Sequence, residues 1–173
     1  MKPDAASEYA VEVLAEHHDR IGFSCGIEAL DLYLHKQARQ DARKQIAVPF
    51  LLVHQATKVI VGFYTLANSA VELNKLPEEL SKRLPKYPLV PATLIGRLAV
   101  DSRYTGKRLG EFLLLDALRR SWEASQRVAS FAVIVDAKND AAEGFYKKYG
   151  FIPMTNSVQR LFLPMASIKT LFL

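Results

Sequence analysis

The feature that most constrains the fold is an apolar strand that leads through a glycine-containing loop into a helix. Residues 94–100 are almost entirely apolar, the loop 103–110 contains Gly106 and Gly110, and a helical pattern runs from about 109 to 124. The first backbone N–H groups of a helix have no partner within it, so such a turn presents them to solvent or to an anion. The sequence therefore predicts an α/β fold with a candidate phosphate site at this turn.

Two glycines and two cations in this loop are compatible with a phosphate site. Gly106 allows the backbone to turn without steric cost. Gly110 lies in the first helical turn, where it costs about 1 kcal/mol relative to alanine, and close approach of a ligand is one reason for it. Lys107 and Arg108 add positive charge where a pyrophosphate would lie. An ordinary strand-to-helix turn with solvated cations also explains these residues, so the loop alone leaves both interpretations open.

The remaining elements alternate between helical and extended patterns. Steps of three and four between Ile27, Leu30, Leu34 and Ala38 predict a helix over 27–44 with these side chains in the core. Residues before about 23 are expected to form a polar arm. Other predicted helices cover 76–84 and 140–149, the latter ended by Gly150, and other predicted strands cover 49–54, 59–67, 131–135, 151–152 and 157–163. This order predicts a mixed sheet with helices on both faces.

Composition bounds the class of protein. The 173 residues are half apolar, which predicts one domain over 1–173, and the net charge of +5 favours an anionic partner such as a nucleotide or RNA. Cys25 is the only cysteine, which excludes an intrachain disulfide and favours the cytoplasm. The longest nearly uncharged stretch, 59–71, is too short to span a bilayer, so no membrane association is expected. No metal is expected either, because the histidines show no ligand spacing: His17, His18, His35 and His54.

The glycine loop resembles the pyrophosphate loop of the GNAT N-acetyltransferases. That family's pattern is arginine or glutamine, two residues, glycine, one residue, then glycine or alanine. Arg103 and Gly106 match it, whereas Arg108 occupies the last position. The departure puts one close backbone approach in doubt, although Gly110 leaves clearance at the helix start. The resemblance implies acetyl-CoA as cosubstrate.

Five further motifs occur in chain order: Phe23-x-Cys25-Gly26, Gly62-Phe63-Tyr64-Thr65-Leu66, Gly96-Arg97-Leu98-Ala99-Val100-Asp101, Phe145-Tyr146 with Tyr149-Gly150-Phe151, and Leu161-Phe162-Leu163-Pro164 with Ser167-Ile168. Together they are similar to a narrower group, the acetyltransferase toxins of bacterial type II toxin–antitoxin modules. The resemblance implies an AtaT-, ItaT- or TacT-like toxin, and the C-terminal pattern is most similar to the AtaT and ItaT branch. The resemblance runs from about residue 20 to the end of the chain.

The resemblance implies a fold and a set of cofactor-binding residues. The fold is a mixed, mostly antiparallel sheet, splayed at the acetyl-CoA site between 94–100 and 131–135, with helices on both faces. One backbone N–H of residues 98–100 would stabilise the oxyanion. Asn139 has a second interpretation as a helix-entry residue. The implied cofactor-binding residues are Leu98, Ala99, Val100, Arg103, Thr105, Gly106, Lys107, Arg108, Leu109, Gly110, Asn139, Ala142 and Phe145.

The resemblance also makes Tyr146 the catalytic residue, facing the departing sulfur. A phenol of pKa about 10 that protonates a thiolate of pKa about 8.5 does so uphill by roughly 2 kcal/mol when both groups are unperturbed. Hydrogen bonding during C–S cleavage is therefore favoured over complete early transfer. The other interpretation is a buried aromatic residue whose hydroxyl finds a structural partner.

The related toxins acetylate the α-amino group of aminoacyl-tRNA, which implies an RNA-binding surface here. No carboxylate stands out as a general base, and an amine of modest pKa can attack in its neutral form. The basic side chains that would form this surface have a second interpretation as solvated helix faces. Arg97 has a second interpretation as the partner of Asp101 or Glu72 in an ion pair. The implied tRNA-binding residues are Lys36, Arg39, Arg43, Lys44, Lys82, Arg83 and Arg97.

Three functions follow as hypotheses. The first is a cytoplasmic toxin that acetylates aminoacyl-tRNA, with a ribbon-helix-helix antitoxin and a homodimer carried over from the family. The second is an acetyltransferase for proteins or small amines, whose activity RNase would leave intact. The third is a non-catalytic CoA-binding or RNA-binding module, in which the pure protein neither hydrolyses acetyl-CoA nor transfers its acetyl group.

Overall fold

The computed structural model describes residues 8–173. Its strands form one seven-stranded sheet of order β1-β2-β3-β4-β5-β7-β6. β4 and β5 are parallel, whereas β1–β2, β2–β3, β5–β7 and β6–β7 are antiparallel, which confirms the predicted mixed and mostly antiparallel sheet. The strands are β1 (Tyr9–Val13), β2 (Val48–His54), β3 (Ile60–Glu72), β4 (Leu89–Val100), β5 (Ala132–Asp136), β6 (Ile152–Pro153) and β7 (Arg160–Pro164).

Six α-helices are described, and the first two are joined by a π-helical segment, Tyr33–Gln37. Short 3-10 turns, Leu73–Lys75 and Ser102–Tyr104, precede α3 and α4. No helix in the described part of the chain combines the length and apolar character needed to cross a membrane. The α-helices are α1 (Glu28–Leu32), α2 (Ala38–Arg43), α3 (Glu78–Ser81), α4 (Leu109–Ser125), α5 (Asp140–Lys148) and α6 (Met165–Lys169).

Several predicted elements are confirmed and others are wrong. The hairpin, the long helix after the glycine loop and the helix before Gly150 lie within two residues of their predicted bounds at most ends. The predicted polar arm instead contains β1, which pairs with β2 along its whole length. The predicted helix over 76–84 shrinks to α3, and β4 runs through Pro91. Ile27 is 44% exposed rather than buried, because it is the N-cap of α1.

The first compact unit contains the described residues up to Ala67 together with Arg97–Ala117. Its core packs the rings of Phe23 and Phe63 edge to face, with centroids 5.4 Å apart, and stacks Tyr33 on Phe63 at 6.2 Å. Leu34 is fully buried in the same cluster. The apolar side of α1 and its π-helical segment thus covers the strands of this unit.

The second compact unit contains Asn68–Gly96 and Leu118–Leu173. Its core draws on β4, β5 and β7, with Ala92, Ile134 and Phe162 buried together. β5 is buried at four of its five positions, as expected for a strand covered on both faces. The prediction of a single domain stays a prediction.

Replacing Gly62 by alanine is expected to destabilise the protein by about 1–3 kcal/mol. A Cβ at this position would lie 2.9 Å from Leu113 Cδ1 and 3.0 Å from the carbonyl oxygen of Ala99. The side chain can shift, but the backbone carbonyl of a central strand cannot move without disturbing its ladder. Urea unfolding measures the change.

Gly144→Ala is the matched control, because a Cβ there meets no heavy atom within 4 Å and the residue lies inside α5. It is expected to leave stability unchanged or raise it by up to about 1 kcal/mol. Equal urea midpoints for the two variants would show that the space around Gly62 is not limiting.

Candidate active site

The loop between β4 and α4 is exposed and contains two left-handed residues. Gly106 has φ +81° and Arg108 has φ +60°. Thr105, Gly106, Lys107 and Arg108 are all exposed, and Leu109 is buried at the start of α4. The side chain of Arg108 bonds to Glu111 with Nε 2.9 Å from the carboxylate oxygen. Arg108 therefore takes, at a steric cost, the backbone conformation that glycine adopts freely.

A buried carboxylate anchors the start of this loop. Asp101 is fully buried, and its side chain accepts hydrogen bonds from the backbone N–H of Ser24 at 3.1 Å and of Arg103 at 2.9 Å. Arg103 adds its Nε and Nη2 to the same carboxylate, both at 3.0 Å. Burial raises the pKa of Asp101, but the hydrogen bonds from Arg103 and Ser24 outweigh it and hold this pKa below its usual value.

The same network changes how Arg103 is interpreted. Its guanidinium is committed to Asp101 and also donates to the carbonyl oxygen of Gly22 at 3.4 Å. Ser102 N–H donates to the carbonyl oxygen of Ser24 at 2.9 Å, which ties the loop to the segment before α1. Arg103 thus shapes the loop from its start, and contact of this side chain with a cofactor stays a prediction.

The last residues of β4 extend beyond its pairing with β5. The ladder runs from Ala92 opposite Ala132 to Ile95 opposite Val135, and β4 continues to Val100. Asp101 N–H donates to Val61 in β3 at 2.8 Å. Because successive residues of a strand point their backbone groups to alternate sides, those of Leu98 and Val100 point away from β3. The backbone groups of Ala99 point toward β3. Ala99 therefore differs in orientation from Leu98 and Val100, the other two predicted cofactor contacts on this strand.

Tyr146 lies on α5, and local contacts fix both ends of this helix. Asn139 caps the helix by accepting the backbone N–H of Ala142 at 2.8 Å, so its helix-entry interpretation is confirmed, and its cofactor role stays a prediction. Gly150, with φ +94°, follows the helix, and Phe151 N–H then donates to the carbonyl oxygen of Tyr146 at 3.2 Å. This left-handed end is the one that the sequence predicted.

The Tyr146 ring lies in an aromatic cluster. Its centroid is 5.3 Å from that of Phe145 and 5.4 Å from that of Phe151, both edge to face. The residue is 7% exposed, and burial raises the pKa of its phenol to about 12. Among the described residues the Tyr146 hydroxyl has no hydrogen-bond partner. Its oxygen is not completely buried. The Tyr146 phenol is thus a neutral donor without a partner among the described residues.

The predicted RNA-binding cations divide into paired and unpaired groups. Arg39 and Arg43 both face Glu16, and Lys82 pairs with Glu78 at 3.2 Å. Three cations have no ion pair among residues 8–173 and are exposed: Lys36 on the π-helical segment, Lys44 directly after α2 and Arg83 after α3.

Arg97 is held by an aromatic ring instead of by the predicted carboxylates. Its guanidinium carbon lies 3.6 Å from the centroid of Tyr33, whose hydroxyl donates to Asp41 at 2.9 Å. Gln37 also donates to Asp41 at 2.9 Å. The ion pair of Arg97 with Asp101 or Glu72 is wrong, because Asp101 is occupied by Arg103 and no ion pair of Arg97 is found in the described chain. Sequence reasoning missed Tyr33, because the π-helical segment that places it has no local signature.

Two histidines lie near the carboxylate of Glu12, and one of them forms a hydrogen bond to it. The candidate ligand atoms of Glu12, His17 and His18 lie within 4.8 Å of one another. Nδ1 of His18 accepts the backbone N–H of Ala15 at 2.9 Å, so the proton of the neutral ring sits on Nε2, which bonds to Glu12 at 2.6 Å. The expectation that the chain holds no metal stays a prediction.

The chain belongs to the GNAT acetyltransferase family, because the family profile described as an acetyltransferase (GNAT) domain matches residues 24–169. A probable toxin TacT of Sinorhizobium fredii is 28% identical over 179 residues, covering 99% of each chain. A tRNA-acetylating toxin of Mycobacterium tuberculosis is 31% identical over 158 residues, covering 91% of this chain and 93% of the relative.

Solved structures agree in fold. A tyrosine-to-phenylalanine mutant of KacT superposes with a TM-score of 0.90 at 34% identity, covering 95% of this chain and 99% of that one. AtaT complexed with acetyl-methionyl-tRNAfMet gives 0.89 at 33% identity, with coverage of 96% and 100%. A tyrosine-to-phenylalanine mutant of AtaT bound to the C-terminus of the antitoxin AtaR and acetyl-CoA gives 0.81 at 30%, with coverage of 95% and 98%.

Proposed function

We propose that this protein is a toxin that transfers an acetyl group from acetyl-CoA to the α-amino group of aminoacyl-tRNA and so blocks translation. The observation that carries the proposal is the Tyr146 hydroxyl, which is neutral and without a hydrogen-bond partner in the described structure. It occurs in a GNAT chain that matches tRNA-acetylating toxins over nearly its whole length.

The residues present fit a CoA thioester. The exposed loop 105–108, with Gly106 and Arg108 left-handed, supplies backbone N–H groups and the cation of Lys107 for a pyrophosphate. Leu98 and Val100 offer backbone groups that the β4–β5 ladder does not use, for an amide-bearing pantetheine arm. Acetyl-CoA, when bound, supplies an acetyl group activated as a thioester.

Two groups of this chain would act on the reacting atoms. The backbone N–H of Leu98 or Val100 would donate to the thioester carbonyl oxygen and stabilise the negative charge that develops there. The Tyr146 hydroxyl would donate to the sulfur as the C–S bond breaks. An α-amino group with a pKa near 8 attacks in its neutral form at physiological pH, so no carboxylate base is needed.

The aminoacyl-tRNA would be held by exposed cations. Lys36, Lys44 and Arg83 are exposed and suit backbone phosphates. Arg97 is oriented by its stacking on Tyr33, which leaves its planar N–H groups for an acceptor on the substrate. A ribbon-helix-helix antitoxin that covers these cations, and a homodimeric assembly, belong to the same proposal and rest on family likeness.

The decisive experiment uses labelled acetyl-CoA with total aminoacyl-tRNA, followed by identification of the aminoacyl adenosines that carry the label. We expect label on one or a few aminoacyl adenosines, and loss of product when RNase is added first. Transfer to peptides or small amines that survives RNase would overturn the tRNA assignment. Absence of both transfer and acetyl-CoA hydrolysis would indicate a non-catalytic module.

Replacing Arg108 by glycine is expected to leave the KM for acetyl-CoA within about twofold, whereas valine is expected to raise it by about tenfold. Glycine adopts φ +60° freely, and a β-branched residue there is strained enough to displace the loop. Steady-state kinetics with acetyl-CoA varied measures the effect. Should glycine raise KM as much as valine, the side-chain charge of Arg108 and not its backbone conformation would be the feature that binds the cofactor.

A further inference from the structure

The first compact unit contains a cavity lined by three arginines and one carboxylate. Its volume is about 240 Å³. The lining residues come from the segment after β1 and from α2: Leu14, Ala15, Glu16, Arg20, Arg39, Ala42 and Arg43. Three guanidinium groups against one carboxylate leave the cavity with a net positive charge, so its lining suits an anion.

Glu16 already places an anion in this cavity. Its carboxylate lies 2.5 Å from Nη2 of Arg39 and 3.8 Å from Nη2 of Arg43. The Glu16 side chain is nevertheless 81% exposed, so this ion pair contributes little to stability and the side chain can swing into solvent. Arg20 is held separately by donating to the carbonyl oxygen of Leu34 at 2.9 Å, which fixes its fork beside the cavity.

We propose that this cavity is a phosphate subsite for the tRNA backbone, from which Glu16 must withdraw when RNA binds. The inference rests on the proposed function and deepens it. Arginine forks match phosphate oxygens in charge and geometry, and Glu16 occupies the position of such an anion in the unliganded chain. The carboxylate is thus an internal competitor that lowers the affinity for RNA.

Positive charge continues beyond the cavity, which favours RNA over an isolated anion or an acidic peptide. Lys36 lies on the π-helical segment and Lys44 directly follows α2, and both are exposed without an ion pair in the described structure. Phosphates spaced regularly along a backbone can meet both the cavity and these flanking lysines.

The test compares Glu16→Gln with the wild type for binding of deacylated total tRNA over a series of salt concentrations. Without the competing carboxylate, we expect about three- to tenfold tighter binding at low salt and a salt slope steeper by about one. Glu123→Gln is the control: it makes the same charge change at an exposed residue outside the cavity lining. Equal affinities and slopes for these two variants would overturn the proposal.

A double-mutant cycle localises the effect to the cavity. In an Arg39→Gln and Arg43→Gln background, the gain in tRNA affinity from Glu16→Gln is expected to disappear, because the Glu16 carboxylate then has neither arginine to pair with. A gain that persists would mean that Glu16 acts only through net charge. Tighter binding of a polyglutamate peptide with unchanged tRNA affinity would also overturn the phosphate assignment.

The tRNA-binding test of this subsite and the acetylation test of the proposed function can fail independently of each other. If aminoacyl-tRNA is acetylated but Glu16→Gln binds tRNA like the control, the subsite fails and the function stands. If tRNA binding tightens as expected but no aminoacyl-tRNA is acetylated, the subsite stands and the proposed reaction fails.

Discussion

Tyr146→Phe is expected to slow single-turnover acetyl transfer by about 100-fold, without a measurable loss of stability or of acetyl-CoA binding. The change removes only a hydroxyl that bonds to no described residue, and the edge-to-face contacts with Phe145 and Phe151 remain. Rapid-quench kinetics with labelled acetyl-CoA measures the rate, while calorimetry gives cofactor affinity and melting temperature.

Tyr87→Phe serves as the control, because Tyr87 is 70% exposed and loses the same group. Its single-turnover rate should equal that of the wild type. A Tyr146→Phe rate that also matches the wild type would remove this residue from the mechanism.

The raised pKa of Tyr146 also bears on how its hydroxyl would act in the proposed reaction. At a pKa of about 12, protonation of a thiolate of ordinary pKa about 8.5 is uphill by roughly 5 kcal/mol, more than for an unperturbed phenol. In the proposed reaction, Tyr146 is therefore expected to donate a hydrogen bond through most of C–S cleavage. Because the phenol stays protonated well above pH 8, its ionisation does not limit the rate in the physiological range.

Asp101→Ala is expected to destabilise the protein by about 3 kcal/mol and to raise the KM for acetyl-CoA by at least about tenfold. The change removes the buried carboxylate that accepts the N–H groups of Ser24 and Arg103 and the guanidinium of Arg103, and it releases the start of the glycine loop. Urea unfolding and steady-state kinetics measure the two effects.

Asp136→Ala is the matched control, since Asp136 also binds an arginine with both oxygens, at 2.7 and 2.9 Å, but on an exposed surface. We expect a loss below about 1 kcal/mol for it and an unchanged KM. Similar stability losses for the two variants would contradict the anchoring role of Asp101.

The stability that Asp101 contributes should depend on pH in a defined direction. Its pKa is lower in the folded than in the unfolded state, so the contribution is complete above the unfolded pKa near 4. It is lost as the pH falls through the lower, folded pKa. The difference in unfolding free energy between wild type and Asp101→Ala should therefore be constant from pH 5 to 8 and shrink below about pH 4.

Local patterns were sufficient where one element carries its own signal. The helix after the glycine loop, the N-cap at Asn139 and the left-handed end at Gly150 depend on residues a few positions apart, and all three are confirmed. β1 was missed because its five residues become a strand only through pairing with β2. Likewise, nothing local indicates that Arg97 would stack on Tyr33, which is 64 positions earlier in the sequence.

The sequence by itself determined the glycine loop, the α5 motif with Tyr146, the net positive charge and the resemblance to GNAT toxins. Only the tertiary structure decided which charged side chains form ion pairs. Arg103 pairs with Asp101, and Arg39 and Arg43 pair with Glu16. The tertiary structure also decided that the Tyr146 hydroxyl is left without a partner in the described chain. The reason is physical, since charge and hydrogen-bond satisfaction depend on distances between residues far apart in sequence, and those distances exist only once the chain is folded.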